Sequence, residues 1–235
     1  MAGAKAQHDN ISTGGTQAFG SSLTAGDTIL IIVLTYGSNS DTINTPTEST
    51  GTATLGTVTL DESSGVQNGT SEANIYHANV TGSGTCTIKI TGIWNTGSAY
   101  LILDEFSGMA SSPVYGTPVT AASGSSGTEN PGTITTPNGG MAVMAWSDSS
   151  GGSAGSYTIT GTNIENEPDP SNVTGGAQYT LTTTGGSQTL TALAVSPLTV
   201  SAWVASGVAY SPASPTTTYS VIHGMSTIHG LSTIH

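Results

Sequence analysis

Thr28-Ile29-Leu30-Ile31-Ile32-Val33-Leu34-Thr35 decides the fold. Its apolar run, Ile29 to Leu34, carries no charge and is far too short to span a bilayer. The β-branched Ile and Val side chains favour extended backbone. The stretch therefore reads as a strand at the centre of a sheet.

Working outward, further strands are expected at residues 57–61, 73–80, 85–91, 99–106, 141–147, 156–162, 177–184, 188–195 and 199–210. Each is bounded by Gly, Ser or Asn, and no segment shows a capped apolar period of 3.6. About ten short strands separated by turn signals predict an all-β protein, an antiparallel β-sandwich or jelly roll. Residues 1–20 read as an N-terminal arm able to supply an edge strand, and residues 21–210 as the sandwich domain. Residues 211–218, Ser-Pro-Ala-Ser-Pro-Thr-Thr-Thr, form a linker, and residues 219–235 an extended repeat tail.

Composition narrows the function classes. Of 235 residues, 32 are Gly and only 7% are charged; the only cations are Lys5 and Lys89, and the net charge is −12. Nucleic acid and anionic membranes are excluded as expected partners, because both are held by Lys and Arg. Scarce basic residues also deny trypsin-like proteases their sites, which suits an extracellular life. Disorder is not expected, since 35% of residues are hydrophobic and cluster with strand periodicity. The opening Met-Ala-Gly-Ala-Lys-Ala-Gln-His-Asp has no apolar core of the secretory kind. An extracellular composition without an export signal suggests a virion protein, assembled in the host cytoplasm and released by lysis.

The tail repeats a six-residue unit, Ser-Val-Ile-His-Gly-Met, Ser-Thr-Ile-His-Gly-Leu, Ser-Thr-Ile-His. Six is even, so in an extended chain each copy presents the same faces. Ile222, Ile228 and Ile234 fall on one side and His223, His229 and His235 on the other, with Met225 and Leu231 between. Such a segment cannot bury these groups alone. It is expected to oligomerise or dock, with a homotrimer as the favoured form. Successive histidines would stand about 20 Å apart in one extended chain. In a three-chain bundle each level would instead supply a ring of three imidazoles, one from each chain, and a stacked polar layer is expected there rather than a Zn²⁺ or Ni²⁺ site.

Three stretches carry a resemblance. Ala25-Gly-Asp-Thr-Ile-Leu-Ile-Ile-Val33, residues 75–90 and Ala99-Tyr-Leu-Ile-Leu-Asp-Glu-Phe-Ser-Gly108 occur in that order. The series resembles a Gly/Thr-rich β-sandwich module of tailed-phage virion proteins and secreted bacterial proteins, over roughly residues 20 to 210. The resemblance implies head decoration, a head fibre or a tail-fibre part, with other virion proteins such as the major capsid protein as partners. The hexad tail lies outside the module and resembles short fibre-forming repeats.

No chemical motif rises above this background. Cys86 alternates with Thr85, Thr87 and Lys89, so a buried, inert thiol is expected, and one cysteine forms no intrachain disulfide. Gly151-Gly-Ser153-Ala-Gly155 matches a nucleophile elbow but lacks the strand and helix that motif requires. Asp104 and Glu105 are neighbours on a strand and point to opposite faces. Residues 163–169, Asn-Ile-Glu-Asn-Glu-Pro-Asp, hold alternating oxygens that could bind Ca²⁺, but a solvated acidic turn is the simpler expectation. His8 and His77 show no ligand partners at usable spacing. Asn10, Asn68, Asn79 and Asn172 begin glycosylation triplets expected by chance in a Thr-rich chain. Trp146 and Trp203 lie in apolar strands and read as core; Trp94, in a loop, is the candidate for sugar stacking. The expectation is a non-enzymatic structural protein without catalytic residues, cofactor or metal. Its rival is an extracellular adhesive, carbohydrate-binding or filament-forming module.

Overall fold

The structure, a computed structural model, describes residues 5–13, 15–36, 42–65, 71–93, 98–123, 128–148, 156–165, 174–195 and 202–214. All regular elements among them are β-strands. The first half begins with β1 (Lys5–Thr13), β2 (Thr16–Ala18), β3 (Thr28–Tyr36), β4 (Thr42–Ile43), β5 (Thr47–Gly51) and β6 (Thr54–Leu55). It continues with β7 (Thr59–Ser63), β8 (Ser71–Gly82), β9 (Cys86–Lys89), β10 (Gly92–Ile93) and β11 (Ser98–Phe106). The second half opens with β12 (Met109–Ser123), β13 (Thr128–Glu129), β14 (Ile134–Thr136), β15 (Met141–Asp148) and β16 (Ser156–Ile159). It closes with β17 (Thr162–Glu165), β18 (Thr174–Leu181), β19 (Gly186–Gln188), β20 (Ala192–Val195) and β21 (Trp203–Pro212). Between the halves lie only Ser107 and Gly108, and Gly108 turns the chain at φ 71°.

The halves repeat one topology. The first has a principal sheet ordered β1-β11-β3-β8, with β6 and β7 both on the far edge of β8. The second is ordered β12-β21-β15-β18-β17. Counting principal strands within each half (with β7 as the third of the first half), both orders are first, fifth, second, fourth, third. The cover sheets agree as well: β2-β9-β5 and β13-β20-β16 draw their strands from corresponding connections. Every pairing is antiparallel, and the crossing scheme is that of a jelly roll. The expected all-β sandwich is therefore present, built as two jelly-roll layers pairs packed through their principal sheets.

That packing explains the sequence that opened the analysis. Strand faces alternate, so Leu30, Ile32 and Leu34 enter the core between the principal sheets, while Ile29, Ile31 and Val33 enter a second core under the cover sheet. β15 does the same: Met141, Val143 and Ala145 face the shared core, and Ala142, Met144 and Trp146 face the other cover sheet. A strand buried on both faces reads as a continuous apolar run rather than an alternating one. Ser147 Oγ donates to the Thr35 carbonyl at 3.0 Å and Ser206 Oγ to the Ala73 carbonyl at 2.7 Å, two buried bonds between the halves. These two buried hydroxyls are thereby satisfied.

Several sequence expectations need adjustment. Residues 109–123 carry no strand signal in the sequence, yet β12 is the longest strand described. Its Pro113, Gly116 and Pro118 read as breakers, but β12 is an edge strand whose pairing with β21 shifts register twice, and edges tolerate proline. The expected strand at 156–162 splits into β16 and β17, and that at 188–195 into β19 and β20. Residues 5–13, part of the expected arm, pair with β11 as the sheet's own edge. Register irregularities mark all four principal edges, β1, β7, β12 and β17, which discourages edge-to-edge addition.

Candidate functional site

Opposite β8, Thr59 pairs with His77 and Leu60 with Tyr76, but Glu62 rather than Asp61 pairs with Ile75. Asp61 is the extra residue of a β-bulge, a device that re-aims a side chain. Its Oδ1 lies 2.6 Å from His77 Nδ1, and its Oδ2 accepts a hydrogen bond from the Tyr210 hydroxyl at 2.6 Å. A carboxylate only accepts, so Nδ1 carries the proton, and in the neutral ring Nε2 is left as an acceptor. The His77 and Tyr210 rings meet edge-on, with centroids 6.5 Å apart. Tyr210 is fully buried; burial, and then the Asp61 charge, hold its phenol well above the usual range.

Asp61 and His77 line a cleft of about 630 Å³ between the halves. β8 contributes His77 and Asn79, while Thr57, Thr59, Leu60 and Asp61 come from β7 and the residues before it. β12 supplies Ser111, Ser112, Pro113, Val114 and Pro118. Asn79 Nδ2 donates to the Ser111 carbonyl at 2.7 Å, and Thr28 Oγ1 donates to Asn79 Oδ1 at 3.1 Å, so the amide is oriented from both ends. Neither lysine lines the cleft. Asp61 already spends its charge on two neighbours. What the site offers is a positioned acceptor nitrogen, several hydroxyls and an apolar strip.

The sequence did not reveal the Asp61–His77 pair, because the two residues lie on neighbouring strands joined by a bulge. One signal was present: His77 is in phase with Ala73 and Ile75, a polar residue at an inward-facing position.

Two buried carboxyl pairs lie elsewhere. Glu129 and Asp148 are both fully buried, and their carboxyls share a side-chain hydrogen bond. Burial, then the adjacent Asp148, raises the Glu129 pKa well above the usual carboxylate range. Burial and the neighbouring Glu105 likewise raise Asp27, while Glu105 Oε1 accepts the Thr24 N–H at 2.6 Å. Asp104 and Glu105 are both buried at the end of β11.

Cys86 is buried, with Thr85 and Lys89 exposed, and burial pushes its thiol up to about 12. Trp146 and Trp203 are core residues. No group of three or more His, Cys, Asp or Glu side chains converges among the described residues. Ile222, His223, Met225, Ile228, His229, Leu231, Ile234 and His235 lie outside the described residues, as do Trp94, residues 151–155 and residues 166–169. His8 is opposite Asp104 in the β1–β11 register, and Glu165 ends β17.

A scan against protein-family models and searches of curated proteins and of solved structures found no match.

Proposed function

We propose that this chain is a non-enzymatic structural subunit of a tailed-phage virion, a head-decoration or head-fibre component. It assembles through its C-terminal repeats with copies of itself, as a trimer, and with other virion proteins such as the major capsid protein. The observation that carries this reading is the even-numbered hexad in the tail sequence, which in an extended chain would place Ile222, Ile228 and Ile234 on one side, a set that such a segment could not bury alone. The fold is compatible with a load-bearing body: its halves share one core and are joined by two residues. Many weak contacts, multiplied over repeated copies, then hold the assembly together.

Deleting residues 219–235 tests it. Native mass spectrometry should show the trimer reduced to monomer, and particle occupancy should fall. A truncated chain with unchanged mass and occupancy would reject the proposal.

An extracellular adhesive module is the second reading, favoured by the cleft at His77. Its filament-forming version receives less support, because each principal edge strand carries a register irregularity.

A further inference from the structure

We propose that the cleft between the halves binds a neutral saccharide, with His77 Nε2 accepting a hydrogen bond from a sugar hydroxyl. The inference does not rest on the assembly reading, since none of the residues involved belongs to the tail.

Charge excludes the alternatives first. An anionic ligand would have to be desolvated without any Lys or Arg to receive it, a cost that pairing cannot offset here. A cationic ligand would need Asp61, whose two oxygens already serve His77 and Tyr210. A neutral ligand remains.

Its chemistry follows from the lining. Thr57, Thr59, Ser111 and Ser112 are exposed hydroxyls that both donate and accept. Asp61 holds the imidazole in one tautomer and orientation before any ligand arrives, so little ordering cost remains on binding. His77 lines the cleft with its Nδ1 engaged, and Nε2 is not among the buried side-chain atoms without a hydrogen-bond partner. Leu60, 48% exposed, and Pro118 add an apolar strip that suits the C–H face of a pyranose. A volume of about 630 Å³ lies within the range of small-molecule sites and would hold two or three sugar units.

The full-length protein is titrated calorimetrically with cellotriose, maltotriose, mannotriose and chitotriose, and with trigalacturonate as the anionic control. At least one neutral sugar should bind, and trigalacturonate should not. His77→Leu removes the acceptor and should weaken binding about tenfold, the equivalent of one hydrogen bond. Ser112→Trp fills the cleft from an exposed position and should abolish binding while leaving the melting temperature unchanged. That variant keeps the test decisive should His77→Leu fail to fold. The proposal is overturned if no neutral sugar binds, if binding survives the folded variants, or if trigalacturonate binds as well. Assembly after tail deletion is a separate measurement, so either idea can fail alone.

Discussion

The Tyr210 hydroxyl donates to Asp61 Oδ2 at 2.6 Å across 149 positions of sequence, joining the last described strand to a bulge in β7. Its ring lies in the core shared by the halves, while the carboxylate it reaches stands at the cleft. One side chain thus links the packing of the two jelly rolls to the geometry of the candidate site.

Tyr210→Phe removes that donor and keeps the ring. A hydrogen bond to a charged group contributes about 1.5–3 kcal/mol, so denaturant unfolding should show a loss of about 2 kcal/mol. The variant should also bind saccharide more weakly, because Asp61 then holds His77 less firmly. An unchanged midpoint would mean that the bond contributes nothing to the fold.

Because the halves share a core, they are expected to unfold together. Ile32→Ala, in the first half but facing the second, should cost about 2–5 kcal/mol and shift one transition without splitting it. Calorimetry checks this; two separated endotherms would show that the halves are independent domains.

Cys86 should stay unreactive toward a disulfide reagent at about pH 8, since the thiolate is the nucleophile and its thiol is pushed up to about 12. Labelling should proceed only as the first half opens, so its rate under denaturant should track global unfolding. Rapid labelling of the native protein would contradict the packing of β9 against β3.

Glu129 sets a pH dependence with a definite sign. Its folded pKa lies well above the ordinary glutamate value of 4.5, through burial and then Asp148. The folded state therefore binds a proton that the unfolded chain releases. This contribution is full below that ordinary value and declines as pH rises toward the folded pKa. Stability should be greater at about pH 5 than at about pH 8, and Glu129→Gln should flatten the slope and raise stability at the higher value. The converse order would show that Glu129 is ionised in the folded protein.

Particular residues show how far local sequence reached. The run from Ile29 to Leu34 announced a central strand, and Cys86, Trp146 and Trp203 could be assigned to the core from their apolar neighbours. β12 escaped because proline signals a break unless the edge position is known, and edge position is a property of the sheet. Asp61 and His77 escaped because a bulge is invisible until the partner strand supplies the register.

The sequence by itself determined the β class, the buried strands, the buried thiol and the scarcity of basic residues, because backbone propensity, alternation and charge are local quantities. Only the tertiary structure decided that two halves repeat one jelly-roll topology, that β3 and β15 are covered on both faces, and that Asp61, His77 and Tyr210 meet. Those relationships depend on strand order and register across distant segments, which arise when separate apolar faces are driven together out of water.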